Sequence, residues 1–494
     1  MIFKASRLAC LLVLLAGCAV GPDYKKPAAP SVSSYTATPL STVAGDAKVI
    51  AGQAQSFIPG QDILGQWWTL FHSKPLNDLI ERCLTNNPNV NAAQAALAIA
   101  RENVIAQKGL YWPNASAGFS ASRQSQSEQL APIPNFPITT AEYTYDLFTP
   151  QVSVSYVPDI FGVNRRTVES LAAQESEARF QWIATDITLV ANVVSAAIQE
   201  ASLRAQIDSD QKIITLNARM LDILRSQYAC GYASRLAVAA QEAQSAQSEA
   251  TLPPLLTQLA QQRDLLAALA GGFSGAALTE KFELSSLTLP SELPVSLPSK
   301  LVEQRPDVRL AEENLHSASA QIGIAIANRL PNITLTANAG STALQLNQIF
   351  ASGTGFWGIG AGATAPLFEG MTLLHRERAA KAAFVQASEQ YRGAVLTAFQ
   401  NVADVLSALQ HDGDAVRTAS ANTDAAKATL DLTQRQLQTG YAGNMAALGA
   451  GVVYQQARIT LVQAQANRLS DTAALFLALG GGWWNRLDFS ENKN

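Results

Sequence analysis

Histidine and cysteine are scarce in this chain, with four of each in 494 residues. His72, His316, His375 and His411 fall in no metal-ligand spacing and stand near no nucleophile motif, so neither a metal centre nor a cofactor nor an enzymatic activity is expected. Charged residues make up 15% of the chain, against a usual ~25%, and the formal net charge is -4. There is no basic patch or stripe, so nucleic acid is not an expected partner. Beyond the amino terminus no stretch reaches 18 apolar residues. A membrane crossing would therefore fall to β-strands. Glycine and proline are both missing from residues 163 to 230.

What fills that last gap is Ala, Leu, Gln, Glu and Arg, and the local preference is helical over an unusual length. At ~1.5 Å per residue such a helix is roughly 100 Å long. It must stand as a column and turn back at Gly231, the residue type that ends helices. A return helix is expected to Ala270, with Pro253-Pro254 forcing a kink or break, before Gly271-Gly272 closes the unit. The deficit of charge is made up by Ala, Gln, Ser, Thr and Asn, which suits close helix packing and water-lined surfaces.

At the amino terminus Lys4 and Arg7 precede an apolar run from Leu8 to Ala16, the layout of a secretory signal over residues 1–17. Leu15-Ala16-Gly17-Cys18 resembles the lipobox of bacterial lipoproteins, which implies a lipidated Cys18 as the new first residue. The alternative is an ordinary signal peptide with an incidental cysteine. Residues 18–60, rich in Pro, Ala, Ser, Thr and Gly, read as an extended tether, and Trp67-Trp68, Leu70 and Phe71 as the first core contact. Helices are expected near Pro75 to Leu84 and from Pro88 to Tyr111. Alternation marks a strand from Ala115 to Ser122 and another from Gln151 to Val157, with residues 129 to 150 read as an irregular loop on the strength of Pro132, Pro134, Pro137 and Pro150. Gly353-Thr354-Gly355-Phe356-Trp357-Gly358 fits a dinucleotide fingerprint in letters only, because alternating strand residues follow where a helix is required.

The chain then repeats itself. Pro88 matches Pro306 and Pro113-Asn114 matches Pro331-Asn332, both at an offset of 218 (306 minus 88, 331 minus 113). Gly231-Tyr232-Ala233 matches Gly440-Tyr441-Ala442 and Gly271-Gly272 matches Gly480-Gly481, both at 209 (440 minus 231, 480 minus 271). The expected organisation is a first repeat over 61–283 with a β-hairpin at about 114–158, a linker at 284–298, a second repeat over 299–482 with a β-hairpin at about 332–367, and a tail at 483–494. The two short helices of each repeat are expected to stack beside the long one, with the tether, the Trp67-Trp68 segment, the linker and the tail gathered in a belt at their junction. Trp357, Ile359 and Ala361 alternate with Gly358, Gly360 and Gly362, giving one face for lipid and one for water. Four strands cannot close on themselves, so other copies of the chain must complete the wall. The fold class is α+β: a long antiparallel helical barrel joined to an oligomeric transmembrane β-barrel.

Together these residues resemble the TolC-type outer membrane factors, in their NodT-like lipoprotein branch. The resemblance is carried by Cys18 with Gly21-Pro22-Asp23-Tyr24, Gln66-Trp67-Trp68, Asp159-Ile160-Phe161-Gly162 with Arg165-Arg166, Gly231 to Leu236, Gln304-Arg305-Pro306-Asp307 and Pro366-Leu367-Phe368. It implies a homotrimer, a twelve-stranded barrel in outer membrane lipid, and a periplasmic tunnel that meets an inner-membrane transporter through a periplasmic adaptor. The expected activity is passive small-molecule export; a type I protein secretion conduit is the alternative, and a periplasmic scaffold or adaptor is disfavoured by the membrane strands. Arg165-Arg166 could meet lipid phosphate or serve a structural purpose.

The adaptor-facing tips are expected at Gly231, Tyr232, Ala233, Ser234 and Arg235 and at Gly440, Tyr441, Ala442 and Asn444. Relatives of this type carry acidic residues two to three turns past the second tip. Here those positions fall on Ala446 and Gly449, and the matching place in the first copy is Ala237. The gate region is thus expected to be neutral or positive.

Overall fold

The structure, a computed structural model, describes residues 19–32, 34–36, 47–126, 143–274 and 279–489. Cys18 lies outside them, as do residues 129–142 of the expected loop. In chain order the elements are β1 (Ser56–Pro59), α1 (Lys74–Asn86), α2 (Pro88–Gly109), β2 (Asn114–Gln126), β3 (Tyr143–Tyr156), α3 (Val163–Ala229), α4 (Arg235–Leu269), β4 (Glu292–Val295), α5 (Pro298–Gln304), α6 (Pro306–Ala327), β5 (Asn332–Ser341), β6 (Gly355–Thr364), α7 (Thr372–Gln438) and α8 (Asn444–Ala478). α3 and α7 are 67 residues each, α4 and α8 are 35 each, and α2 and α6 are 22 each. At ~1.5 Å per residue the two long helices run roughly 100 Å.

The chain divides into two units. The first comprises Met1–Lys26, Ala98–Ser176 and Glu312–Glu389, and the second comprises Pro27–Leu97, Glu177–Ala311 and Gln390–Asn494.

The first unit holds a four-stranded antiparallel sheet in the order β2-β3-β5-β6. Its register sorts the side chains into rows. Ala117, Val152, Ala339 and Trp357 lie opposite one another in sequence across the four strands, and Ser116, Ser153, Asn338 and Gly358 do the same on the other face. The first row is apolar and open, with Trp357 77% exposed and its neighbour Ile359 80% exposed. Adding a Cβ at Gly358 would bring it 2.8 Å from the Asn338 amide oxygen, so the small residues of the polar face let its long side chains lie flat. Below the sheet, Asp159 caps α3 by accepting from the Asn164 and Arg165 amides at 2.9 and 2.7 Å, the place where a carboxylate best serves a helix start. Ser170 of α3 meets Ser317 of α6 at 2.9 Å, and Gln107 of α2 donates to Asn164 at 2.7 Å. Short polar pairs of this kind let helices approach closely.

Strand β3 begins eight residues earlier than the alternation suggested, since Tyr143–Pro150 is paired with β2. The expected irregular loop at 129 to 150 is corrected to that extent. Pro150 is tolerated because it falls in a gap on the other side of the strand: β3 meets the β5 side at an isolated Phe148–Ala343 bridge and resumes only at Gln151.

The second unit is built on two helical hairpins and a belt. α4 returns along α3, with Gln262 donating to the Ala196 carbonyl at 3.2 Å, Arg263 reaching Glu200 at 3.2 Å and Thr251 bonding Asp210 at 2.7 Å. Pro253-Pro254 does not break α4, which runs uninterrupted through both. The two prolines and the residues whose carbonyls they leave without a donor, Glu249 and Ala250, are all exposed, so those carbonyls are open to solvent. α3 contains one window apolar enough to cross a membrane by length and composition, but 67% of it is buried within the protein. It is core, formed by residues such as Ile183, Val193, Val194 and Ile198.

The belt gathers where the hairpins end. Asn87 donates to the Leu269 carbonyl at 2.9 Å, and Arg305 to the Ala478 carbonyl at 3.0 Å. Each ties the start of a short helix to the end of a returning one. β1 and β4 form a parallel pair within the expected tether and linker. Trp67 stacks on Phe476 at 5.1 Å, and Trp484 and Asn485 both bond Asp62, at 2.9 and 3.0 Å. Arg468, fully buried, donates to Gln55 at 3.1 Å and to the carbonyls of Ala51 and Gln53 at 3.1 and 2.9 Å. Cys83 lies in this core with a free thiol that burial pushes up to about 12, while Cys230 is free and exposed at a hairpin turn.

Candidate functional site

Both hairpin turns are made by the same backbone device. Gly231 and Gly440 take φ of +78° and +81°, the left-handed region that costs other residues roughly 1–2 kcal/mol. In the first turn the Gly231 amide donates to the Tyr228 carbonyl at 3.0 Å and the Tyr232 amide to the Gln227 carbonyl at 2.8 Å. In the second, Gly440 donates to Leu437 at 3.2 Å and Tyr441 to Gln436 at 2.9 Å. Each pair is a Schellman closure, which satisfies the last carbonyls of a helix without a side chain. The chain then leaves Tyr232 and Tyr441 87% and 88% exposed. Two large rings held in water by a closed turn cannot be explained by packing within the chain.

The residues that follow each turn differ between the two hairpins. Ser234 caps α4, its hydroxyl accepting from the Ala237 amide at 3.2 Å, and Arg235 stands 3.8 Å from Glu242, which also meets Arg225 at 3.0 Å. In the second copy the cap position is Gly443 and no side chain caps α8. Asn444 and Ala446 are exposed, Ala442, Ala237 and Gly449 half-buried. None of the three gate positions carries a charge. Asp424 and Asp431, the nearest carboxylates upstream on α7, are exposed.

The sequence did not announce the groove beside these positions. About 750 Å3 in volume, it is lined by Leu216 and Ile223 of α3, Leu437 of α7 and Leu448 of α8, together with Lys212, Arg219, Asp222 and Asn444. Gly451 sits under it, and a Cβ there would come 3.0 Å from Leu216. Only the assembled bundle brings these residues together, so no local motif marks them. Among the described residues no group of three or more His, Cys, Asp or Glu is placed to hold a metal ion. The arrangement offers surfaces: exposed turns, an amphipathic groove and a two-faced sheet.

The family profile described as outer membrane efflux protein matches residues 79–272 and 297–481. Among curated proteins, the toluene efflux pump outer membrane protein TtgC of Pseudomonas putida is 28% identical over 489 residues, covering 97% of this chain and 96% of its own length. The pyoverdine export outer membrane protein OpmQ of Pseudomonas aeruginosa is 28% identical over 483 residues, with 96% of each chain covered. Among solved structures, the CmeC outer membrane channel of Campylobacter jejuni superposes with a TM-score of 0.82 at 18% identity, covering 96% of this chain and 97% of that one. A profile that spans both halves, together with a two-faced sheet and helices that end in exposed closed turns, establishes that this chain belongs to the outer membrane efflux protein family.

Proposed function

We propose that this chain forms, as a homotrimer, the outer-membrane channel of a tripartite efflux system: a passive conduit for small molecules across periplasm and outer membrane. The observation that carries the reading is the sheet. β2 and β6 each have one partner among the described residues, and in lipid an open edge leaves N–H and C=O groups unsatisfied at several kcal/mol each, roughly. With an apolar row on one face and a serine, asparagine and glycine row on the other, β2 of one copy joining β6 of the next gives a closed wall that is oily outside and wet inside. Three copies make twelve strands. The matched helix lengths, the paired ties at Asn87 and Arg305, and a family profile that fits two successive segments support an internal two-fold repeat.

In this reading Gly231 to Arg235 and Gly440 to Asn444 face a periplasmic adaptor, which links the channel to an inner-membrane transporter that supplies the energy. Cys18 carries the lipid that adds a second attachment to the outer membrane. TtgC and OpmQ carry the names of unlike cargoes, toluene and pyoverdine, at the same identity to this chain, so likeness does not select a cargo. No observation favours a protein-secretion conduit over an efflux channel.

The gate follows from Ala237, Ala446 and Gly449. A ring of carboxylates would focus cations in a narrow throat; these positions provide none. Detergent-purified protein in planar bilayers should conduct as a stable pore, with little block by divalent or trivalent cations added from the turn side. Absence of any conductance would refute the conduit. Conductance with micromolar block would leave the conduit standing and move the throat to Asp424 or Asp431.

A further inference from the structure

The segment that follows Cys18 lies in a purpose-shaped seat within the first unit. The Val20 amide donates to the Phe161 carbonyl at 3.2 Å. Arg166, whose side chain is only 5% exposed, donates to the Val20 carbonyl at 3.3 Å, the Gly21 carbonyl at 3.4 Å and the Asp23 carboxylate at 2.8 Å, and is itself held by Glu169 at 2.7 Å. Tyr24 stacks on His316 with ring centroids 4.2 Å apart, and Lys26 reaches Glu312 at 3.5 Å. Two glycines make the approach possible. A Cβ on Gly21 would stand 2.4 Å from the Gly323 Cα, and a Cβ on Gly323 would stand 2.9 Å from the Arg166 side chain.

We propose that Arg166, Gly323, His316 and Glu312 form a docking site for the chain's own segment Ala19–Lys26, a clamp that fastens the amino-terminal strap to the start of α3. The partner it fits is an extended peptide with a glycine at its closest approach, a carboxylate two residues on and an aromatic ring after that. A buried guanidinium is a costly way to hold a strap unless its donors are filled, and here backbone and carboxylate oxygens of the strap fill them. Arg165, by contrast, is exposed. Of the two arginines at this helix start, one is therefore a strap receptor and unavailable to lipid phosphate.

The mechanical consequence rests on lipidation at Cys18; the docking does not. Ala19 is the residue directly after that cysteine, so a pull on an attached acyl group reaches the body within one or two residues, at α3, instead of paying out the tether that follows Lys26.

Cleavage after Lys25 by trypsin tests the clamp on the full, detergent-purified protein, read by intact mass. The wild type should lose residues 18–25 slowly. Arg166→Gln and, independently, Gly21→Ala should be cut at least tenfold faster, while Arg165→Gln behaves as wild type. Gly21→Ala changes only the strap, so its melting temperature should match the wild type and it decides the matter if Arg166→Gln fails to fold. Cleavage of both variants at the wild-type rate would overturn the clamp. The mass of the released fragment separates the two ideas: a slow fragment without acyl groups ends the lipid reading and leaves the docking intact.

Discussion

At both hairpin turns the outgoing helix stops on a left-handed glycine closed by the same two backbone bonds, but the returning helix starts on a hydroxyl cap in one copy and on bare Gly443 in the other. Stopping a helix requires one residue that tolerates positive φ. Starting the next can be left to packing, because α8 is long and well buried against its neighbours. The hairpin interfaces differ in the same spirit. α3 and α4 are joined by charges, with Glu200 held between Arg204 at 2.6 Å and Arg263 at 3.2 Å. α7 and α8 instead enclose Asp412, which has a buried oxygen without a bonding partner. Turn geometry is what the two hairpins share, and side-chain chemistry is where they differ.

The largest effect should come from the shared part. Ala233→Trp and Ala442→Trp place a bulky ring beside the exposed tyrosines, and each is expected to abolish export in a susceptibility assay while the trimer persists on a native gel. If either variant exports normally, the two turns are not equivalent docking surfaces.

A smaller, pH-dependent effect should appear in the second hairpin alone. Burial, and then Asp471 beside it, raise the Asp412 carboxyl to about 7 against the opposing pull of Arg468. In the unfolded chain an aspartate ionises near ~3.9. Between those values the folded state holds the extra proton, so stability falls as pH rises from about 4 to about 7 and is level above that. Asp412→Asn should melt a few degrees above wild type at pH 8 and close to it at pH 5. A constant difference across that range would show that ionisation is not the cause.

The smallest effect concerns the caps. Ser234→Ala should cost about 1 kcal/mol locally, while Gly443→Ser should gain only a few tenths. Hydrogen exchange of the first-turn amides of α4 and α8 reads both. Equal and opposite changes would mean that Gly443 is not a cap at all.

α3 was legible because an absence of Gly and Pro over 163 to 230 leaves few alternatives, whereas α7, which holds Gly393 and Gly413, was read from its correspondence with α3. The turns were legible because glycine is the cheap way into positive φ. β1 and β4 were not, since a four-residue strand shows no period and its partner lies more than 230 residues away (292 minus 56). Pro150 misled for a sound reason: proline argues against a strand unless its missing donor meets a gap in the ladder, and gaps are properties of the sheet. For a related reason Pro253-Pro254 does not interrupt its helix, because exposure decides whether water can take over a lost bond. The turns at Gly231 and Gly440 could be placed from spacing. The groove beside them and the grip of Arg166 could not, although Gly21-Pro22-Asp23-Tyr24 was visible as part of the family resemblance.

The belt has a consequence for the order of folding. Gln55 waits for Arg468, and Asp62 waits for Trp484, a separation of 422 residues. At about 5 to 20 residues per second, roughly 20 to 80 s of synthesis pass between the two ends of that contact. Throughout that interval Trp67, Trp68 and Phe71 exist without Phe476 or Arg486 to cover them. An apolar cluster made early in the chain is thus among the last parts of the belt to be completed.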